Sequence, residues 1–125
     1  MERVYFLEHK TIPVLFTDYK KASIAEILHA YEDAKKIIAK QPPASLLILS
    51  DFTNAEIAAS LTLMEATKSY LNHNRPYVKF TAIIGMAKVA QTIGITLIRA
   101  TGRNNVVFLE NNDQEEALEF LVQKR

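Results

Sequence analysis

The sequence predicts an α/β fold, a mixed β-sheet packed with α-helices in the order β-β-α-β-α-β-α-β-α. Three observations carry this expectation. Short runs rich in Val, Ile, Leu and Phe recur between polar clusters, as strands with a buried face do. The longer stretches between them repeat apolar residues at a helical period, and two of them begin with capping signals. The glycines and prolines, only three and four in 125 residues, mostly fall where one such segment gives way to the next. Strands alternating with helices imply right-handed crossovers and a largely parallel sheet, and two opening strands in succession imply an antiparallel hairpin.

Val4-Tyr5-Phe6-Leu7 reads as the first strand and Thr11 to Phe16 as the second. Pro13 lies inside the second and removes a ladder donor, so an edge position or a bulge is expected there. Ser23 and Glu26 form a capping box, followed by Ile24, Ile27, Leu28, Tyr31, Ala34 and Ile38 at helical spacing. Lys35, Lys36 and Lys40 complement the helix dipole near the end, and Pro42-Pro43 stops the helix. Leu46-Leu47-Ile48-Leu49 is continuously apolar and reads as a strand buried on both faces. A second helix is expected from about Ala55 to His73, and Leu61-Thr62-Leu63-Met64 makes it apolar on more than one side. Val78 to Ile84 is the fourth strand, and a helix follows from about Met86 to Ala100, with Gly102 as its stop. Val106 to Leu109 is the last strand. Asp113 caps a last helix, with Glu116 at the capping-box position and Ala117, Leu118, Leu121 and Val122 as its apolar stripe.

The totals narrow the function classes. With 49% hydrophobic residues, the chain suits one domain, residues 1–125, around one core. A net charge of +1 argues against nucleic-acid binding driven by bulk charge. Cysteine is absent, so the chain has neither disulfides nor a thiolate nucleophile or metal ligand. The stretch from Met1 to Lys10 lacks the basic start and long apolar run of a signal peptide, and no segment reaches the roughly 20 apolar residues that span a bilayer. The expected setting is cytoplasmic, without an integral membrane segment.

Motif chemistry points away from catalysis. The GxSxG elbow, the HExxH zinc signature and the two glycine-rich phosphate loops are all missing. His9, His29 and His73 lie at no metal-ligand spacing. The expectation is a protein without cofactor, metal or catalytic residues. Ligands of open α/β sheets gather beyond the carboxyl ends of the strands, which directs attention to Ser50 to Asn54, Gly85 to Lys88, and Glu110 to Asp113. Ser50, Asp51 and Thr53 offer hydroxyls and a carboxylate, although Thr53 or Asn54 could equally cap the next helix. Gly85 opens a β-to-α turn with Lys88 in the first helical turn, a place for an anion or simply a tight turn. Arg75, Lys79, Lys88, Arg99 and Arg103 could converge into a basic patch for a small anion, an acidic partner or a lipid headgroup, or stay dispersed for solubility.

Asn74 to Val122 carries a family resemblance. Asn74-Arg75-Pro76-Tyr77-Val78-Lys79 leads into a strand ending Ile84-Gly85, and a helix with Lys88 near its start follows. Thr101-Gly102-Arg103, the strand Val106 to Leu109 and a closing helix with Glu115-Glu116-Ala117-Leu118 complete the pattern. This order resembles the SpoIIAA-like proteins, a STAS/SEC14-type family. The N-terminal half agrees in element order, including Asp51 at the end of the third strand. The resemblance implies a STAS-like fold and a non-enzymatic regulatory module that binds a protein partner, as anti-sigma-factor antagonists do. Homodimerisation is a separate expectation, drawn from the apolar faces of the second helix at Leu61 to Met64. The SEC14 side of the family implies the alternative, a small-molecule or lipid-binding domain. Antagonists of this fold are switched by phosphorylation of a serine in an Asp-Ser-Ser-Gly-like motif. That motif is absent here: Ser50 and Ser60 lie in the region without the matching glycine, so no regulatory serine is carried over. The residues singled out for a partner or ligand are Ser50, Asp51, Thr53, Gly85, Lys88 and Arg103.

Overall fold

The computed structural model describes residues 2–58 and 60–125. Met1, at the head of the stretch weighed as a leader, and Ala59, inside the expected second helix, lie outside the described residues. The element order is β1 (Val4–His9), β2 (Ile12–Asp18), α1 (Ile24–Ile38), β3 (Leu46–Asp51), α2 (Leu61–Asn74), β4 (Val78–Ile84), α3 (Lys88–Ala100), β5 (Val106–Phe108) and α4 (Gln114–Val122). The strands form one five-stranded sheet in the order β1-β2-β3-β4-β5. β1 and β2 pair antiparallel, and every later pair is parallel, giving the expected mixed sheet.

The alternation of side chains along the strands builds two cores. Val14, Phe16, Leu47, Leu49, Ala82 and Ile84 face α4 and meet Ala117, Leu118 and Leu121. Leu15, Ile48 and Val78 belong to the opposite core, with α1 and α2. Val78 and Phe80 are two residues apart yet serve opposite faces, which regular pleating forbids. The register explains it: Leu46 pairs with Val78 and Leu47 with Phe80, so Lys79 is an extra residue that flips the strand.

Pro13 is not on an edge strand, because β1 flanks β2 on that side. It is tolerated because β2 pairs with β3 only from Leu15 onward, so the proline meets a neighbour on one side alone. The hairpin turn is unusual in using Lys10 and Thr11 at φ 51° and 67°, where Asn-Gly pairs are the rule.

Helix α1 carries both halves of its capping box: Glu26 N donates to Ser23 Oγ at 3.2 Å, and Ser23 N donates to Glu26 Oε1 at 2.9 Å. Arg3 Nη2 donates to the other carboxylate oxygen at 3.1 Å. The backbone hydrogen bond from Ser23, then Arg3 and the Ser23 side chain, lower the Glu26 pKa from 4.5 to about 2. A carboxyl depressed in the folded state stabilises the fold above its unfolded pKa and loses that contribution on protonation. The stability difference between the wild type and Glu26→Gln is therefore expected to shrink as pH falls from about 4.5 to about 2, and an NMR titration of Glu26 to show a midpoint near 2.

Two helices start later than their periodicity suggests. α2 begins at Leu61, with Ser60 Oγ accepting from Leu63 N at 3.3 Å, so neither Thr53 nor Asn54 caps it. The stretch after Phe52 is held out of the helix by Asn54 at φ 56° and by Glu56 N donating to Ala22 O at 2.8 Å. α3 begins at Lys88 behind Ala87, which supplies no side-chain cap. Among the described residues, no helix is long and apolar enough to cross a membrane.

Candidate functional site

Ser50 and Asp51 are the last residues of β3, with Asp51 two positions beyond the apolar run, and therefore point to opposite sides of the sheet. Parallel register sets Asp51 beside Asp18 of β2. Asp51 Oδ1 accepts from Thr53 N at 2.9 Å and from Thr53 Oγ1 at 2.7 Å, an Asx turn closed by a threonine. Lys20 Nζ lies 3.4 Å from Asp18 Oδ1 and 3.6 Å from Asp51 Oδ2, holding the two carboxylates together. Gly85, at φ 77°, crosses directly over this turn. Asp51, Thr53 and Gly85 therefore meet. Thr53 satisfies Asp51 Oδ1, Lys20 bridges Asp51 to Asp18, and Gly85 packs over the turn, which makes this ledge a lock between β2, β3 and β4.

Lys88 and Arg103, weighed as members of one basic patch or as dispersed charge, do not converge. Lys88 stands at the start of α3 and pairs with Glu110 at 3.0 Å on the surface. Arg103 follows the far end of α3, a helix of 13 residues and so roughly 20 Å away. Arg75 is engaged at that far end too, donating through Nη1 to Thr101 O at 2.8 Å. The sequence spacing concealed this separation because residues before and after one helix lie at opposite ends of the sheet.

On the side of the sheet away from α4 lies a cavity of about 90 Å³. Ile48, Ser50, Thr81 and Ile83 line it from the sheet, α2 contributes Leu63 and Met64 among others, and α3 contributes Ala90, Ile93 and Leu97. Phe52, Tyr19, Tyr31 and Tyr70 make a run of touching rings along it. Phe52 stacks on Tyr19 with centroids 4.4 Å apart, Tyr19 meets Tyr31 edge-on at 5.8 Å, and Tyr31 stacks on Tyr70 at 4.4 Å. The cavity adjoins an open depression of about 540 Å³ at the carboxyl end of the sheet, and Ile57, Met86, Ala90 and Ile93 line both. Leu71, Asn74, Ile98 and Arg103 lie at its opposite, inner end.

Polar groups inside this apolar space are sparse and unevenly satisfied. Tyr31 Oη is 2.9 Å from Thr67 Oγ1. Ser50 Oγ is 2.6 Å from Thr17 Oγ1, which itself donates to Leu49 O at 3.3 Å. Tyr19 Oη, Tyr70 Oη and Arg103 Nη2 are buried without a hydrogen-bond partner among the described residues. The Tyr19 and Tyr70 hydroxyls are near enough to perturb each other's ionisation, yet neither geometry makes a hydrogen bond. Burial raises the pKa of Tyr19, Tyr31 and Tyr70, and burial lowers that of Arg103.

Arg103 is placed by Gly102, whose φ of 73° turns the chain back under α3. Its Nε donates to Asn105 Oδ1 at 3.1 Å and its Nη1 to Leu71 O at 3.4 Å. Among the described residues it makes no ion pair.

Of the residues singled out, the cavity takes Ser50 and Arg103, the ledge takes Asp51, Thr53 and Gly85, and Lys88 joins neither. Ser50 is only 6% exposed, so the folded chain does not present it to a kinase. Sequence reasoning missed Tyr19, Tyr31 and Thr81. Their signal was a polar tip on an apolar stripe, as with Tyr31 between Ile27 and Ala34, since a buried tyrosine hydroxyl ordinarily needs a partner.

The fold and its cavity define a class: an α/β domain with a mixed sheet, packed by α4 on one face and by α1 and α2 on the other, where α2 and α3 leave a hollow. No protein-family model and no curated protein sequence matches the chain. Among solved structures, it is similar to an uncharacterized protein of the DUF3478 family from Shewanella loihica PV-4, described as having a SpoIIAA-like fold. The TM-score is 0.71 at 17% identity, over 94% of this chain and 91% of that chain. The chain thus has a SpoIIAA-like fold, as the features from Asn74 to Val122 led one to expect.

Proposed function

We propose that this chain is a non-catalytic binding module that takes up a small ligand with an apolar body between the sheet and helices α2 and α3. The supporting observation is the apolar cavity, open to a larger depression, on a domain whose other face is filled by α4. An apolar pocket with a few convergent polar groups is the usual form of a small-molecule site. At about 90 Å³ the inner cavity is smaller than the roughly 300 Å³ of drug-sized pockets, which favours a slim ligand whose remainder lies in the outer depression. Titration with 1-octanol followed by methyl NMR tests this. Shifts are expected at Ile48, Leu63 and Ile83, and Ala90→Leu, which enlarges a lining side chain, is expected to suppress them. Shifts scattered over the surface, or unaffected by Ala90→Leu, would refute the reading.

A second reading, the protein-interaction module of anti-sigma-factor-antagonist type, rests on Leu61 and Val89. These apolar residues open α2 and α3 with 70% and 80% of their surface exposed, as at a partner contact. Light scattering would then show a dimer that Leu61→Lys with Val89→Lys dissociates.

A further inference from the structure

Among the described residues, three polar atoms lining the cavity lack partners: Arg103 Nη2, Tyr70 Oη and Tyr19 Oη. Their residues are 8%, 8% and 1% exposed, so water does not compensate them freely. A buried guanidinium without an acid is costly, and so is each orphaned hydroxyl. All three are donors, and all three line the same space. Arg75, the other nearby cation, is already committed to Thr101 O. The space therefore offers one unpaired positive charge and up to three donors at one end, and Ile57, Met86 and Ile93 at the other.

We infer that the ligand is a monocarboxylate with an apolar tail, its carboxylate seated against Arg103, Tyr70 and Tyr19 and its tail leading out between α2 and α3. This deepens the ligand-binding reading and rests on it. A carboxylate carries one negative charge on two oxygens, matching one guanidinium nitrogen flanked by hydroxyls. A phosphate monoester brings more charge than the single free cation offsets, and the surplus would stay buried and unpaired. An alcohol of the same length fills the apolar part but leaves the guanidinium without an anion.

Octanoate and 1-octanol, which share a tail length and differ in the head, separate the two levels. Calorimetric titration is expected to show octanoate binding about tenfold tighter or better. In Arg103→Met the preference for octanoate disappears while octanol binding persists. Because Arg103 also holds Asn105 and Leu71, Tyr70→Phe provides a variant that removes only an unpartnered hydroxyl. It is expected to weaken octanoate several-fold while leaving thermal stability equal or higher, a combination that a structural role for the hydroxyl would not produce. Equal affinity for the two probes, a preference surviving in both variants, or tighter binding of octyl phosphate would overturn the carboxylate assignment and leave the apolar site standing. Binding of neither octanoate nor octanol would overturn both.

Discussion

Gly85→Ala is expected to lower the stability of the fold by about 3 kcal/mol, read as a fall in the urea midpoint at constant slope. Two causes add. The backbone at Gly85 sits at φ 77°, where an L-residue loses roughly 1–2 kcal/mol. A methyl group there would also overlap Thr53 Oγ1, and it would stand 2.7 Å from Thr53 N and 2.9 Å from Asp51 Oδ1. Those are backbone and tightly bonded atoms of the ledge, so neither can move without breaking the hydrogen bonds from Thr53 to Asp51. Gly102→Ala isolates the first cause. Its φ is 73°, but the nearest atoms are the Arg75 guanidinium nitrogens at 3.7 Å, the movable end of a long side chain. It should cost only about 1 kcal/mol. If Gly85→Ala cost no more than Gly102→Ala, the ledge would not be the close-packed junction its distances indicate.

Phe16→Ala is expected to cost about 4 kcal/mol in the same assay. Phe16 is 1% exposed in the α4-facing core, edge-on to Tyr5 with centroids 5.5 Å apart and capped by Lys20 Nζ at 5.2 Å. Removing it leaves a hole enclosed by Leu49, Leu47 and α4 that the sheet cannot collapse to fill. Met64→Ala, on the cavity wall across the sheet, should cost about 1 kcal/mol or less, because Met64 already borders open space and loses fewer contacts. The contrast tests the unequal packing of the two faces, and comparable losses at both sites would mean that the hollow face is filled in solution.

Much of the fold was legible because its signals are local. Ser23 with Glu26, Asp113 ahead of α4, and Pro42-Pro43 act within one helical turn, and each marks the boundary it was read to mark. Leu46 to Leu49 showed a strand buried on both faces, since no other arrangement hides four successive apolar side chains in so short an element. The start of α2 was misplaced because the residues after Phe52 are fastened to Ala22, a contact thirty-odd positions away that no periodicity records. The place of Pro13 likewise depended on where β3 stops pairing, which is a property of the neighbour.

The site divides along the same line. By itself the sequence determined that Asp51 and Thr53 follow the third strand and Gly85 the fourth, on the edge where crossover connections bring the ends of parallel strands. It also determined that glycine turns the chain after α3. Only the tertiary structure decided that Ser50 faces inward while Asp51 faces the ledge, that Lys88 and Arg103 part by the length of a helix, and that Tyr19, Tyr70 and Arg103 share one hollow. A helix or strand specifies its own exposed and apolar faces through the spacing of its residues. The gap left where two helices ride over a sheet depends on how three separate surfaces fit, and that information is spread from Tyr19 to Phe108.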